Sequence, residues 1–302
     1  MSKKVLITGI SGFIGRHLAK KLASIGYNVT GISTHPFIMD TVSVIQADIL
    51  DAKKIQEICK GKDILIHLAA VTTHDELANK TEFSKEVNYT GTKNLLNAFE
   101  GAVFIYPSSG KVYGKQDKLP FSEHMKPNPT TILGKMKLQI EELIGKNSKK
   151  NKNYTVLRIF NVYGPEQRKS FLIPTIISQL NKKEIVLGDI KGKRDFIYID
   201  DVVEAFVLII KSNISGFNVF NVGSGKSVNP KGIVDIFSKI TNKKLTIKID
   251  DTKLRMGEFD EERADISQLK TLKWESKVNM EEGLRKILGR FSTWTLKFAN
   301  QP

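Results

Sequence analysis

Val5-Leu6-Ile7-Thr8-Gly9-Ile10-Ser11-Gly12-Phe13-Ile14-Gly15-Arg16-His17-Leu18 stands at the start of a chain of 302 residues and decides its fold. A short aliphatic and β-branched run ends in glycines spaced three apart, and an amphipathic run continues through Ala19, Leu22 and Ala23. The pattern predicts strand, tight turn and helix. A helix N-terminus presents unpaired backbone N–H groups and the positive end of its dipole, which suits a pyrophosphate. Gly9 permits the turn, Gly12 lets backbone approach phosphates, and Gly15 lets the helix sit close to the sheet. Ser11, Phe13 and Ile14 complete the loop. The spacing is G-x-x-G-x-x-G rather than the commoner G-x-G-x-x-G.

Downstream, Asn28-Val29-Thr30-Gly31-Ile32-Ser33 reads as the second strand and Val42-Ser43-Val44-Ile45-Gln46 as the third. An Asp or Glu at the end of the second strand would bind a ribose 2′-OH, and the chain offers Ser33-Thr34-His35 instead. That leaves NAD and NADP both open, with Ser33, Thr34, His35 or Arg16 available to a 2′-phosphate. Asp48, next to Ile49, is placed either to accept from an adenine amino group or to cap the helix that starts near Ala52. Ile64-Leu65-Ile66-His67-Leu68-Ala69-Ala70 has the near-continuous apolar character of a buried parallel strand. Leu68, Ala69 and Ala70 at its end permit close contact with a cofactor, and His67 reads as a core histidine rather than a catalyst. A helix is expected over 83–99, with Asn88 and Thr92 available to the site.

The composition, 40% hydrophobic, supports a substantial core in one large α/β domain or two smaller ones. The formal net charge of +15 would fit a nucleic-acid binder, a membrane-surface protein or an enzyme of anionic substrates. The densest basic run, Lys146-Asn147-Ser148-Lys149-Lys150-Asn151-Lys152-Asn153, carries no interleaved aromatics for base stacking and reads as a solvated loop, so no nucleic-acid partner is expected. Cys59 is the single cysteine, which excludes a disulfide framework and a thiol metal site and fits a reducing, cytoplasmic compartment. No stretch approaches the ~20 apolar residues of a membrane span, so no membrane association is expected. No metal site is expected either.

Val103-Phe104-Ile105-Tyr106-Pro107-Ser108-Ser109-Gly110-Lys111-Val112-Tyr113-Gly114 is a strand that ends in hydroxyls and glycines, and the C-terminal ends of parallel strands are where open α/β sheets place their chemistry. Together with the glycine turn and the His-Leu-Ala-Ala strand end, two later stretches complete an ordered set. They are Arg158-Ile159-Phe160-Asn161-Val162-Tyr163-Gly164-Pro165 and Arg194-Asp195-Phe196-Ile197-Tyr198-Ile199-Asp200-Asp201-Val202. The set resembles the extended short-chain dehydrogenase/reductases of the nucleotide-sugar epimerase/dehydratase group, in register from about residue 3 to residue 290.

The resemblance implies NAD or NADP as cofactor, a nucleotide-sugar substrate and a homodimer. Ser109 matches the hydroxyl that binds the sugar oxygen at the reacting carbon. The family's dehydratases carry Asp-Glu after that hydroxyl, where this chain has Gly110-Lys111, so dehydration is disfavoured. The family acid/base is a Tyr followed four residues later by a Lys. Here Gly134, Lys137 and Glu141 fix the register, Lys137 takes the lysine place and Leu133 stands where the tyrosine should be. A leucine has no proton to give. Sliding the register pairs Thr131 with Lys135 but loses the glycine and the glutamate. Tyr113 is the nearest other phenol in sequence and is the candidate substitute. Phe160 and Asn88 match cofactor contacts, Asn161 the contact to the diphosphate, and Arg194 and Arg255 the arginines that bind phosphate or nucleoside, a task suited to guanidinium forks. Asp265 matches a family acid at the start of a helix from Ser267. Lys226, in Gly223-Ser224-Gly225-Lys226-Ser227, lacks the first glycine of a phosphate loop.

The expected architecture is thus a Rossmann-like doubly wound parallel sheet over 1–164, with about 200–222 returning to it, and a smaller substrate lobe over 165–302. The expected activity is reduction of a 4-keto-sugar nucleotide. Two alternatives stand beside it: 4-epimerisation, and a cofactor-binding sensor or partner without turnover, which Leu133 keeps open.

Overall fold

A computed structural model describes residues 2–253 and 260–298. Its centre is a seven-stranded, all-parallel sheet. In chain order the strands are β1 (Lys4–Thr8), β2 (Asn28–Ser33), β3 (Ser43–Gln46), β4 (Ile64–His67), β5 (Val103–Ser109), β6 (Asn153–Ile159) and, after a long excursion, Gly216–Val222. In space Gly216–Val222 lies at one edge, followed by β6, β5, β4, β1, β2 and β3. The strand order reverses between β1 and β4, and in sheets of this kind a ligand binds in the crevice at that switch point.

The near-continuous apolar strands follow from the pleat, because successive side chains feed opposite cores. Val5, Ile7, Ile64, Ile66, Val103 and Ile105 join Leu18, Ala19 and Leu22 of helix α1 (Phe13–Ser24) and the apolar stripe of the helix Ile199–Lys211. Leu6, Leu65, Phe104 and Tyr106 face the other way, onto Ile55 and Ile58, Leu95, and Ile140 and Ile144 from three further helices. Each large aliphatic side chain fully withdrawn from water contributes about 1.5–3 kcal/mol, so this two-sided burial dominates the sheet's stability.

The helix expected over 83–99 is present in segments: an α-turn at Thr81–Lys85, a wider π-turn at Glu86–Thr90 and an α-helix at Gly91–Ala98. The helix that follows Asp48 is capped not by Asp48 but by Asp51, whose side chain accepts from the Lys54 N–H at 3.0 Å. Asp48 accepts from the Leu50 N–H instead and stays in the turn. After β6 the chain builds a second, smaller sheet, in which Lys193–Tyr198 pairs with Asn161–Tyr163, Ser227–Val228 and Glu261–Glu262. The helix Ile199–Lys211 and the strand Gly216–Val222 carry the chain back onto the main sheet. No described helix is long and apolar enough to cross a membrane.

Candidate active site

The glycine turn has the conformation that its spacing requires. Gly9 has φ +69°, and a Cβ there would lie 2.6 Å from the backbone N of Ala69. Gly15 is as tight, since its Cβ would fall 2.5 Å from the Gly9 carbonyl oxygen. Helix α1 therefore begins directly against the ends of β1 and β4. Its N-cap is Gly12, no side chain caps it, and its first turn carries no acidic residue. The first N–H groups are left for a ligand, and an anion meets no repulsion. This cradle fits the pyrophosphate of a dinucleotide cofactor.

Ser33, at the end of β2 and only 4% exposed, sits 3.2 Å from Ser11 of the glycine turn, hydroxyl to hydroxyl, and accepts from the His35 N–H. The structure thus brings the strand end where an acid was expected against the phosphate loop. Arg16 pairs with Glu166 at 3.2 Å. Ile49 is buried and Asp48 exposed.

At the end of β4, His67 is a core residue. Its ring nitrogens meet Thr8 Oγ1 at 2.8 Å and Thr92 Oγ1 at 2.9 Å, and burial together with the Lys137 charge depresses its pKa to about 3. Thr92, expected to be open to the site, is spent on His67 and the Asn88 carbonyl. Asn88 is likewise committed: its amide accepts from the Val71 N–H and donates to the Val71 carbonyl, at 2.8 and 2.9 Å. It shapes the loop that follows Leu68, Ala69 and Ala70, and the π-turn is the segment that carries it there.

Ser109 ends β5 and accepts from the Lys111 N–H at 3.2 Å, which starts a 3₁₀ turn at Gly110–Val112. Ser109, Gly110, Lys111, Ile159, Phe160, Asn161 and Glu262 line one recess. A Cβ at Gly110 would lie 3.1 Å from the Phe160 ring and press on it. On the helix Ile132–Asn147, Lys137 is buried and donates to the Pro107 carbonyl at 2.8 Å, with its ammonium 4.5 Å from the centre of the Tyr106 ring. Burial lowers its pKa to about 8, and Glu141 acts in the opposite sense. Leu133, one turn earlier, is half-buried against the adjacent core. The Thr131 hydroxyl caps this helix by accepting from the Gly134 N–H at 3.1 Å, so in the shifted Thr131 and Lys135 pairing that oxygen serves as the helix cap.

Tyr113 is corrected as a candidate acid. It is fully buried, its hydroxyl donates to Asn221 Oδ1 at 2.6 Å, and Arg158 covers its ring at 4.9 Å. Burial pushes its pKa up to about 12. The same Arg158 makes a two-pronged bond to Glu141, which also accepts from Ser108, so this buried cluster braces β5, β6 and the Lys137 helix.

From the smaller sheet, Asn161 reaches the recess while its amide donates to the Asp195 carbonyl at 3.1 Å. Arg194 is 8% exposed, and its Nε lies 3.6 Å from Glu262. Arg255 lies outside the described residues. Asp265 accepts from the Ser267 N–H at the start of the helix, and Ser224 and Gly225, from the rejected phosphate-loop stretch, are tied to the Asp195 carboxylate. The recess also contains a residue that sequence reasoning missed. Glu262 is 3% exposed, and its other oxygen accepts from Lys111 Nζ at 2.7 Å. No local signal marks this pair, whose members stand 151 residues apart. Among the described residues no group of three or more His, Cys, Asp or Glu side chains is arranged to hold a metal.

Comparison with known proteins agrees with this fold. The chain is 29% identical to the GDP-6-deoxy-D-mannose reductase of Pseudomonas aeruginosa, an alignment covering 95% of this chain and 97% of that enzyme. It is also 29% identical to the CDP-abequose synthase of Salmonella muenchen, over 95% of this chain and 98% of the synthase. Its fold matches the UDP-glucuronic acid 4-epimerase of Bacillus cereus, solved with UDP-glucuronic acid and NAD, with a TM-score of 0.86, 28% identity, and coverage of 96% of this chain and 99% of that one. Residues 5–223, more than two thirds of the chain, match the model of the NAD dependent epimerase/dehydratase family, and the chain belongs to that family.

Proposed function

We propose that the protein is an NAD(P)-dependent reductase of a keto group on a nucleotide-linked sugar, with the 4-keto carbon as the favoured position. The observation that carries this reading is the recess that Ser109, Lys111 and Asn161 share at the C-terminal ends of β5 and β6, with Lys137 bonded to the Pro107 carbonyl two residues before Ser109. When bound, the cofactor would supply hydride from its nicotinamide. The chain's own residues then divide the remaining tasks. The first turn of α1 receives the pyrophosphate, Ser11 and Ser33 face the adenosine ribose, and Lys137 holds the nicotinamide ribose. Ser109 donates to the sugar carbonyl oxygen, while Asn161 and Arg194 face the diphosphate. Residues 165–302, apart from the segment of about 200–222, form the substrate lobe in this reading.

Leu133 favours reduction over epimerisation. An epimerase must remove a proton from the sugar hydroxyl and later return one, so it needs a base and an acid at one place. A reductase needs a single delivery. The same substitution sustains the sensor reading, in which cofactor binds and nothing turns over. Native mass spectrometry of the purified protein would identify bound cofactor, and single-turnover cofactor fluorescence with GDP-, CDP- and UDP-linked 4-keto hexoses would test hydride transfer. Oxidation of the reduced cofactor by one of these is expected. Cofactor binding with no oxidation by any of them would leave the sensor.

A further inference from the structure

A ketone reduced in this recess becomes an alkoxide unless a proton reaches its oxygen, and neither of the phenol positions can supply one. Leu133 carries no proton, and Tyr113 faces the core with its hydroxyl bonded to Asn221. Among the described residues, the side chains that line the recess are few. A serine hydroxyl and an asparagine amide are far too weak as acids, and the carboxylate of Glu262 is held between two cations, Lys111 and Arg194. Lys111 is different. Its backbone N–H is bonded to the Ser109 hydroxyl, which fixes it within one 3₁₀ turn of the oxygen that would hold the substrate carbonyl. Its ammonium is bonded to Glu262 at 2.7 Å, and 27% of its side chain is exposed, so solvent can replace a proton that it gives away.

We propose that Lys111 is the general acid of this site, delivering a proton from Nζ to the carbonyl oxygen of the keto sugar, and that Glu262 is the residue that positions it. The assignment rests on the reductase reading of the recess. In the step, the carbon–oxygen π bond breaks, hydride from the reduced nicotinamide forms the new C–H bond, and a proton from Lys111 forms the new O–H bond. The products are the alcohol, the oxidised cofactor and a neutral amine, which regains its proton from water. An ammonium is a much stronger acid than a sugar hydroxyl, so proton transfer to a sugar alkoxide runs toward the alcohol.

The test uses the full-length protein in single turnover with reduced cofactor and the GDP-, CDP- and UDP-linked 4-keto hexoses. Lys111→Met is expected to slow hydride transfer by about 10²-fold or more, within the range for loss of a general acid, while binding of the free nucleoside diphosphate changes by less than about threefold. Lys111→Arg keeps the charge beside Glu262 and guards against loss of fold; it is expected to be nearly as slow, because a guanidinium does not give up its proton. Added ethylammonium is expected to restore rate to Lys111→Ala. A readout independent of turnover comes from cyanoborohydride treatment without cofactor, which reduces an imine between the keto sugar and a neighbouring amine. Mass spectrometry is expected to find that label on Lys111. Wild-type rates in Lys111→Met or Lys111→Arg, or labelling confined to other lysines, would overturn the assignment and leave the reductase reading intact. If the wild type itself oxidises cofactor with none of the keto sugars, the reductase reading falls and the assignment falls with it.

Discussion

The ammonium of Lys137 donates to the carbonyl oxygen of Pro107 at 2.8 Å, two residues before Ser109, so the helix that carries Lys137 is bonded directly to the strand end that forms the recess. One helical turn separates Lys137 from Leu133, and residues at that spacing share a face. A phenol at 133 would therefore stand on the same side as the ammonium. Leu133→Tyr is expected to raise the single-turnover rate of hydride transfer. If Lys111 is the resident acid, the gain is small in the wild type and about 10² or more in Lys111→Met, because two acids serving one oxygen do not add. Equal rates for Lys111→Met with and without the tyrosine would show that the geometry between Lys137 and Ser109 does not support the family's proton transfer.

Cofactor choice is expected to follow Ser33. Its hydroxyl lies 3.2 Å from Ser11 with no carboxylate at the strand end, so nothing there repels a 2′-phosphate and nothing accepts twice from a ribose diol. Titration of both cofactors is expected to show weak preference for NAD over NADP, or the reverse. Ser33→Asp should shift the ratio toward NAD by about tenfold or more, since a like charge against the 2′-phosphate costs several kcal/mol. A strong preference of the wild type for NAD would mean that the 2′ position is read elsewhere.

His67 predicts an acid-sensitive fold. It is buried, shared between Thr8 and Thr92, and its pKa is depressed to about 3. Above about pH 6.5 the imidazole is neutral in both the folded and the unfolded chain, and pH has no leverage through it. As pH falls below that value the unfolded chain takes up a proton that the folded site refuses down to about pH 3. Stability therefore declines through this window, at up to about 1.4 kcal/mol per pH unit from this group. Urea unfolding of wild type and His67→Asn between pH 7 and pH 4 checks it. The variant should begin less stable and lose less on acidification; parallel declines would remove His67 as a source of the acid sensitivity.

Much of this site is legible in sequence because it rests on local geometry. The glycine turn is readable because Gly9 and Gly15 meet backbone at distances that no side chain survives, and the strands because burial on both faces leaves little polar residue in them. Leu133 is identified from its neighbours, since Gly134 packs on the 3₁₀ turn, Lys137 on Pro107 and Glu141 on Arg158, which together fix the register. What escapes is direction and distance along the chain. Tyr113 follows Ser109 by four residues, but the intervening turn aims its hydroxyl at Asn221, and nothing local to Tyr113 encodes a partner in a strand 108 residues on. Glu262 has the same origin: it enters the recess because Glu261–Glu262 pairs with the Lys193–Tyr198 strand, a contact set by tertiary topology. The choice of Asp51 over Asp48 as helix cap turns on where the chain leaves the sheet, which composition does not specify.

The last prediction concerns association. The segments Thr81–Lys85 and Glu86–Thr90 leave Phe83 and Tyr89 exposed by 52% and 40%, and Ile132, at the start of the helix Ile132–Asn147, is exposed by 50%. Val87 of Glu86–Thr90 and Met136, Ile140 and Ile144 of the helix Ile132–Asn147 join the core on one side of the sheet, while Phe83, Tyr89 and Ile132 turn large apolar side chains outward, and an exposed apolar patch on a folded domain marks a contact surface. We propose that two copies pair through them in a two-fold, four-helix contact, which would cover all three side chains. Sedimentation velocity at micromolar concentration is expected to give a dimer for the wild type. Phe83→Asp combined with Ile132→Asp should dissociate it, because each charge would be desolvated against its symmetry mate, while the thermal unfolding of the separated subunits should show that the fold persists. A wild type that sediments as a monomer would rule out this pairing, and a dimer indifferent to both substitutions would move the contact to another face.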